Sequence, residues 1–163
     1  MRSDIIALNL NSKDMSLTEK IAADLIAAMK AKNTVALEAI RAAKTAFILA
    51  ISEKGAGSVL TADEELKIIQ KLVKQRRESA EIYKQNNRQD LYQKEVSEAD
   101  VLEKYLPARI SEAELEAILK EIIAKVGAKS PADMGKVMGM ATKELAGRAD
   151  GKEISAKVRQ LLG

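Results

Sequence analysis

The sequence predicts an all-α protein, with an N-terminal helical subdomain of about four helices followed by a compact three-helix C-terminal subdomain. Three observations carry this prediction. Apolar residues recur at i, i+3/i+4 spacing along the chain, and no run alternates as a strand does. Helix-start signatures recur along the chain. The interior must also be aliphatic, because 163 residues contain one Phe, three Tyr and no Trp. Leu, Ile, Val, Ala and Met then fill the core, a composition suited to helices packing on helices.

Each element follows in order. Ser16-Leu-Thr-Glu19 opens the first helix, whose stripe is Leu17, Ile21, Leu25 and Met29. Its cap hydroxyl is spaced to accept from the amide three residues on, while the glutamate reaches back. Asn33 caps a second helix with the stripe Leu37, Ile40, Phe47 and Ile51. Gly55 to Leu60 reads as a flexible loop. Thr61-Ala-Asp-Glu64 starts a third helix carrying Leu66, Ile69, Val73, Ala80 and Tyr83. Its first-turn acids Asp63, Glu64 and Glu65 read as a solvated helix start that complements the helix dipole. A looser fourth stripe runs through Leu91, Leu102 and Tyr105.

Proline disfavours a helical residue before it, so the boundary is expected around Pro107. This divides the chain into 15–106 and 107–163. Ser111-Glu-Ala-Glu114 then starts a helix with Leu115, Ile118, Ile122 and Val126. Ser130-Pro131-Ala-Asp133 is a start with proline at the first position, where a missing N–H costs nothing. It leads into Met134, Val137, Met138, Ala141 and Leu145. Asp150-Gly-Lys-Glu153 opens the last helix, with Ile154, Val158 and Leu161. Gly127 and Gly147 stand where left-handed residues end helices. Residues 1–14 are expected to form a peripheral extension. With one early Arg, an early Asp and no sustained apolar core, they do not read as a signal peptide.

Composition narrows the function. The chain holds no His and no Cys, which removes histidine acid–base catalysis, cysteine nucleophiles, disulfides and the common transition-metal ligands. No catalytic residue, metal site or cofactor is nominated. The longest apolar run, Ala46 to Ile51, falls far short of the roughly 20 residues of a membrane span. The absence of cysteine fits a reducing compartment, and a cytoplasmic location is expected.

Charge is uneven. Residues 125–163 hold eight Lys/Arg against four Asp/Glu, so the whole of the +3 net charge and more sits in the tail. The basic segment Lys71, Lys74, Arg76, Arg77, interrupted by Glu78 and Glu81, reads as salt-bridged surface. In the tail, Gly135 and Gly139 lie four apart around Lys136. Each helix-interior glycine costs about 1 kcal/mol against alanine, so something offsets the cost. Either the glycines allow close helix packing or they let an RNA backbone approach. Candidate RNA-binding residues are Lys129, Gly135, Lys136, Gly139, Lys143, Arg148, Lys152, Lys157 and Arg159. The Gly147–Gly151 turn offers a helix N-terminus for a phosphate, although Asp150 opposes an anion there. With so few aromatics, recognition would be of folded or double-helical RNA by shape and backbone rather than by base stacking.

Several blocks resemble the GatB/YqeY family: DMGKVMG at 133–139, GRADGKEIS at 147–155, EADVLEKYLPARISEAEL at 98–115, and KQRRES at 74–79 with RQDL at 88–91. The resemblance runs from about Met15 to the C-terminus. In that family a similar two-part helical module forms the tail of the B subunit of the tRNA-dependent amidotransferase, where it engages the tRNA body. The catalytic cradle lies in a separate domain for which this chain has no room. The resemblance thus implies a tRNA- or structured-RNA-binding module without the carbon–nitrogen ligase machinery. The competing expectations are a protein–protein interaction module, or an accessory factor of an amidotransferase whose catalytic groups come from a partner.

Overall fold

The computed structural model describes residues 15–163, and the expectation for residues 1–14 lies outside the described part. Among the described residues, seven α-helices follow one another: α1 (Leu17–Lys30), α2 (Thr34–Lys54), α3 (Ala62–Gln85), α4 (Gln89–Glu103), α5 (Glu112–Val126), α6 (Met134–Glu144) and α7 (Gly151–Leu162). A single 3-10 turn, Pro131–Asp133, leads directly into α6. No strand occurs among the described residues, and the all-α class is as the periodicity predicts.

Local chemistry explains the boundaries. The Ser16, Thr61 and Ser111 hydroxyls accept from the amides of Glu19, Glu64 and Glu114, each at 3.2 Å. The three glutamates accept in return from the cap amides. Asn33 Oδ1 accepts from Ala36 N at 3.1 Å. At the Ser130 start, Asp133 Oδ2 accepts from the amides of Lys129 (2.9 Å) and Ser130 (3.3 Å), which holds the 3-10 turn. Gly127 (φ 68°) ends α5 and Gly147 (φ 74°) follows α6, both left-handed. Proline at 107 keeps the chain out of helix between Glu103 and Glu112.

The apolar stripes assemble into two buried clusters. Helices α1–α4 surround Ile21, Ile40, Phe47, Ile69 and Leu102. Helices α5–α7 surround Leu119, Ile122, Val137, Leu145, Ile154 and Val158. Met29, counted on the first stripe, is 55% exposed because the stripe drifts off the packed face by the last turn of α1.

One expectation is corrected. Glu65 is not part of a solvated helix start: it is 3% exposed and caps another helix. Its carboxylate accepts from Leu17 N and Thr18 N, both at 3.0 Å, and from Thr18 Oγ1 at 2.6 Å. These are among the first amides of α1, which have no intrahelical partner. With Ser16 serving Glu19 N, the start of α1 is satisfied partly from its own sequence and partly from α3.

Candidate functional site

Four elements or turns carry the candidate residues. Along α6, Gly135, Gly139 and Lys143 recur at i, i+4, i+8 on one face, with Lys136 beside the first glycine. All four are exposed. A Cβ built on Gly135 or Gly139 meets nothing within 4 Å. Among the described residues, the two glycines therefore pack against no neighbouring helix. The helix instead buries its opposite side, through Val137, Ala141 and Leu145. Close packing does not offset the cost of these glycines, and they present bare backbone to the outside.

Lys129 is exposed in the connection before α6. Its amide holds the Asp133 carboxyl below the usual carboxylate range, helped by Ser130 N and by the charges of Lys136 and Lys129. Lys152 and Arg159, seven residues apart on α7, share one exposed face. Lys157 lies elsewhere. Its side chain is 10% exposed and pairs with Glu112 at 3.2 Å and Glu116 at 3.1 Å. Those carboxylates, Glu116 first, hold its ammonium above the ordinary lysine value. Lys157 thus ties α7 to α5, while the other six candidate cations have no carboxylate within 4.0 Å among the described residues.

The start of α7 is occupied by its own acids. Asp150 Oδ1 accepts from Lys152 N at 3.2 Å, and Glu153 accepts from Asp150 N at 3.2 Å. A phosphate at that N-terminus would face both carboxylates.

Arg148, the remaining candidate, lines a cleft of roughly 680 Å³ where α3, the 106–109 connection and the 147–150 turn meet. The turn is held in place from two sides. Ile110 N donates to Arg148 O at 3.1 Å, and Gln70 Nε2 donates to Ala149 O at 3.0 Å. Gly147 is buried, and a Cβ there would sit 3.1 Å from Pro107 Cδ and 3.4 Å from Leu66 Cδ2.

Sequence reasoning did not single out this cleft. Its cations are Lys67, Lys71, Lys74, Arg77, Arg109 and Arg148, against Glu103 and Asp150. Lys67, Lys71 and Lys74 stand at i, i+4, i+7, so their shared face on α3 was readable from spacing. Arg109 and Arg148 join them only through the fold. The salt-bridged reading holds for the neighbouring arginines. Arg76 Nε lies 3.0 Å from Glu98 Oε2, and Arg77 lies 2.6 Å from both Asp100 and Glu103. Burial pushes the Glu98 carboxyl up, opposed by Arg76. Among the described residues, no group of three or more metal-ligating acids converges and no helix is long and apolar enough to cross a membrane.

The profile of the family described as Yqey-like protein matches residues 18–162. The chain is also similar to a protein of Pyrenophora tritici-repentis (strain Pt-1C-BFP) named "Altered inheritance of mitochondria protein 41, mitochondrial". The two are 32% identical over 148 residues, covering 88% of this chain and 80% of the relative. Blocks that carry the resemblance, from the 98–115 segment to the glycine-bearing α6 and the 147–155 turn, fall inside the matched region. The chain belongs to the YqeY-like family.

Proposed function

We propose that the protein binds tRNA or another structured RNA through the outer face of α6 and the exposed cations around it. The observation that carries this reading is the bare glycine stripe of α6. Two exposed glycines, unopposed by any atom of the described residues, flank Lys136 and lead to Lys143. A helix surface without side chains admits a sugar–phosphate backbone to close range, and the flanking ammonium groups neutralise it. Lys129, Lys152 and Arg159 add uncommitted charge, whereas Lys157 is spent on Glu112 and Glu116. The shortage of aromatics supports recognition by backbone and shape. In this reading residues 15–106 and 107–163 are two units, the protein resides in the cytoplasm, and RNA contact belongs to the second unit.

Fluorescence anisotropy of labelled total tRNA, titrated with the protein at about 50 and 200 mM salt, tests the proposal. If four phosphates are contacted, affinity falls on the order of 10²-fold between those salts, taking the duplex value of the salt slope. Charge reversal at Lys136 with Lys143 should weaken binding in a protein that still folds. Unchanged affinity in that folded variant, or no saturable binding at the lower salt, overturns the reading. In the latter case a protein partner for the same face is the outcome to pursue.

A further inference from the structure

The geometry points to a second site, distinct from the α6 face: the cleft between α3 and the 147–150 turn takes a ligand bearing a terminal phosphate, of about the size of a sugar phosphate. Its volume of roughly 680 Å³ falls within the range of small-molecule sites. Three of its cations already have acidic partners. Arg77 is held by Asp100 and Glu103, Arg109 by Glu153 at 2.5 Å, and Lys74 loosely by Asp150 at 3.6 Å. Lys67, Lys71 and Arg148 have no carboxylate within 4.0 Å among the described residues. They reach the cleft from two directions, α3 and the turn.

Like charges one helical turn apart repel, so the α3 face is electrostatically unfavourable until an anion enters. The turn that carries Arg148 is preorganised by the Ile110 and Gln70 hydrogen bonds and by Gly147 seated against Pro107 and Leu66. Val73, Leu106, Pro107 and Ala108 supply an apolar wall for the uncharged body of the ligand. No aromatic lines the cleft, so it offers no stacking surface to a base. A phosphate with two negative charges on a compact body fits this lining. Its source is either a free sugar phosphate or the phosphorylated end of an RNA. The inference does not rest on the RNA reading of α6, since it uses none of the α6 residues.

Isothermal titration calorimetry of the full chain with ribose 5-phosphate and, separately, with tripolyphosphate tests the site. Saturable binding of at least one probe is expected. It should weaken by about tenfold or more, roughly 1.4 kcal/mol or more, in the Lys67→Glu/Lys71→Glu variant and in Arg148→Ala. Lys30→Glu/Lys44→Glu, two exposed cations away from the cleft, should leave it unchanged, and so should the α6 reversal Lys136→Glu/Lys143→Glu. All six lysines of these reversals are exposed, and circular dichroism checks that each variant stays folded. Failure of both probes to saturate overturns the site. So does an equal loss in the cleft and control reversals, which marks plain attraction to net charge. A short 5′-phosphorylated RNA that displaces the small probe, where its 5′-hydroxyl counterpart does not, identifies an RNA end as the source. Displacement by neither leaves the free small molecule.

Discussion

Replacing Gly139 and Gly135 by alanine separates stability from binding. Gly139 sits inside α6, where alanine is worth about 1 kcal/mol over glycine. Gly135 is the second residue of the helix, where the amides have no intrahelical partner, so its gain is about half as large. Neither new methyl group meets any atom of the described residues within 4 Å, so no packing penalty from them subtracts from these terms. The double variant should be more stable by about 1.5 kcal/mol, which for a chain of this length raises Tm by roughly 3–6 °C. The same methyl groups would hold an RNA backbone away from the helix. Affinity for tRNA should then fall by about tenfold, or ~1.4 kcal/mol, although no charge has changed. Thermal denaturation followed by circular dichroism, with anisotropy titration of the same preparation, measures both. A fall in Tm would refute the inference that the glycines face open space. A rise in Tm with unchanged affinity would refute the assignment of this face to RNA, since the glycines would then have neither role.

Four further outcomes follow from the same geometry. Gly147→Ala should cost about 1–3 kcal/mol in urea denaturation, because the position is left-handed (φ 74°) and a Cβ would lie 3.1 Å from Pro107. Glu65→Ala should cost about 2–3 kcal/mol by removing the charged acceptor for Leu17 N and Thr18 N, and Glu65→Gln should cost less because one acceptor oxygen survives. Glu116 is held below the usual carboxylate range by Lys120 first and Lys157 second. A depressed acid contributes stability that is full above its unfolded value of about 4.3 and lost as pH falls through the lower folded value. Stability measured between pH 6 and 3, a range chosen about that value, should therefore drop less steeply in Lys157→Met than in the parent. Finally, fragments 15–106 and 107–163, each carrying its own buried cluster, should each unfold cooperatively by circular dichroism. A fragment without a transition would show that the contacts of Gly147 and Gln70 across the junction are required for folding.

Helix identity and most boundaries were legible because the interactions that set them are short in sequence. A cap hydroxyl and its amide are three residues apart at Ser16, Thr61 and Ser111, and the stripes repeat within each turn. The salt-bridged reading of Arg76 and Arg77 was legible from composition, though not the identity of their partners on α4. Other assignments depended on contacts that local spacing does not encode. Glu65 has the pattern of a solvated first-turn acid, and only α1 arriving 47 residues away in sequence makes it a buried cap. Lys157 has the same pattern as Lys152 and Arg159, yet it turns toward α5 while they face outward. The glycines of α6 permitted either packing or exposure until the positions of α5 and α7 left their face uncovered. The cleft joins a lysine face on α3 to an arginine on a turn more than 70 residues later. Periodicity and capping are properties of a single helix, so the chain alone sets them. Which side of each helix is covered, and which charges meet, depends on how the helices dock, and burial across many residues decides that.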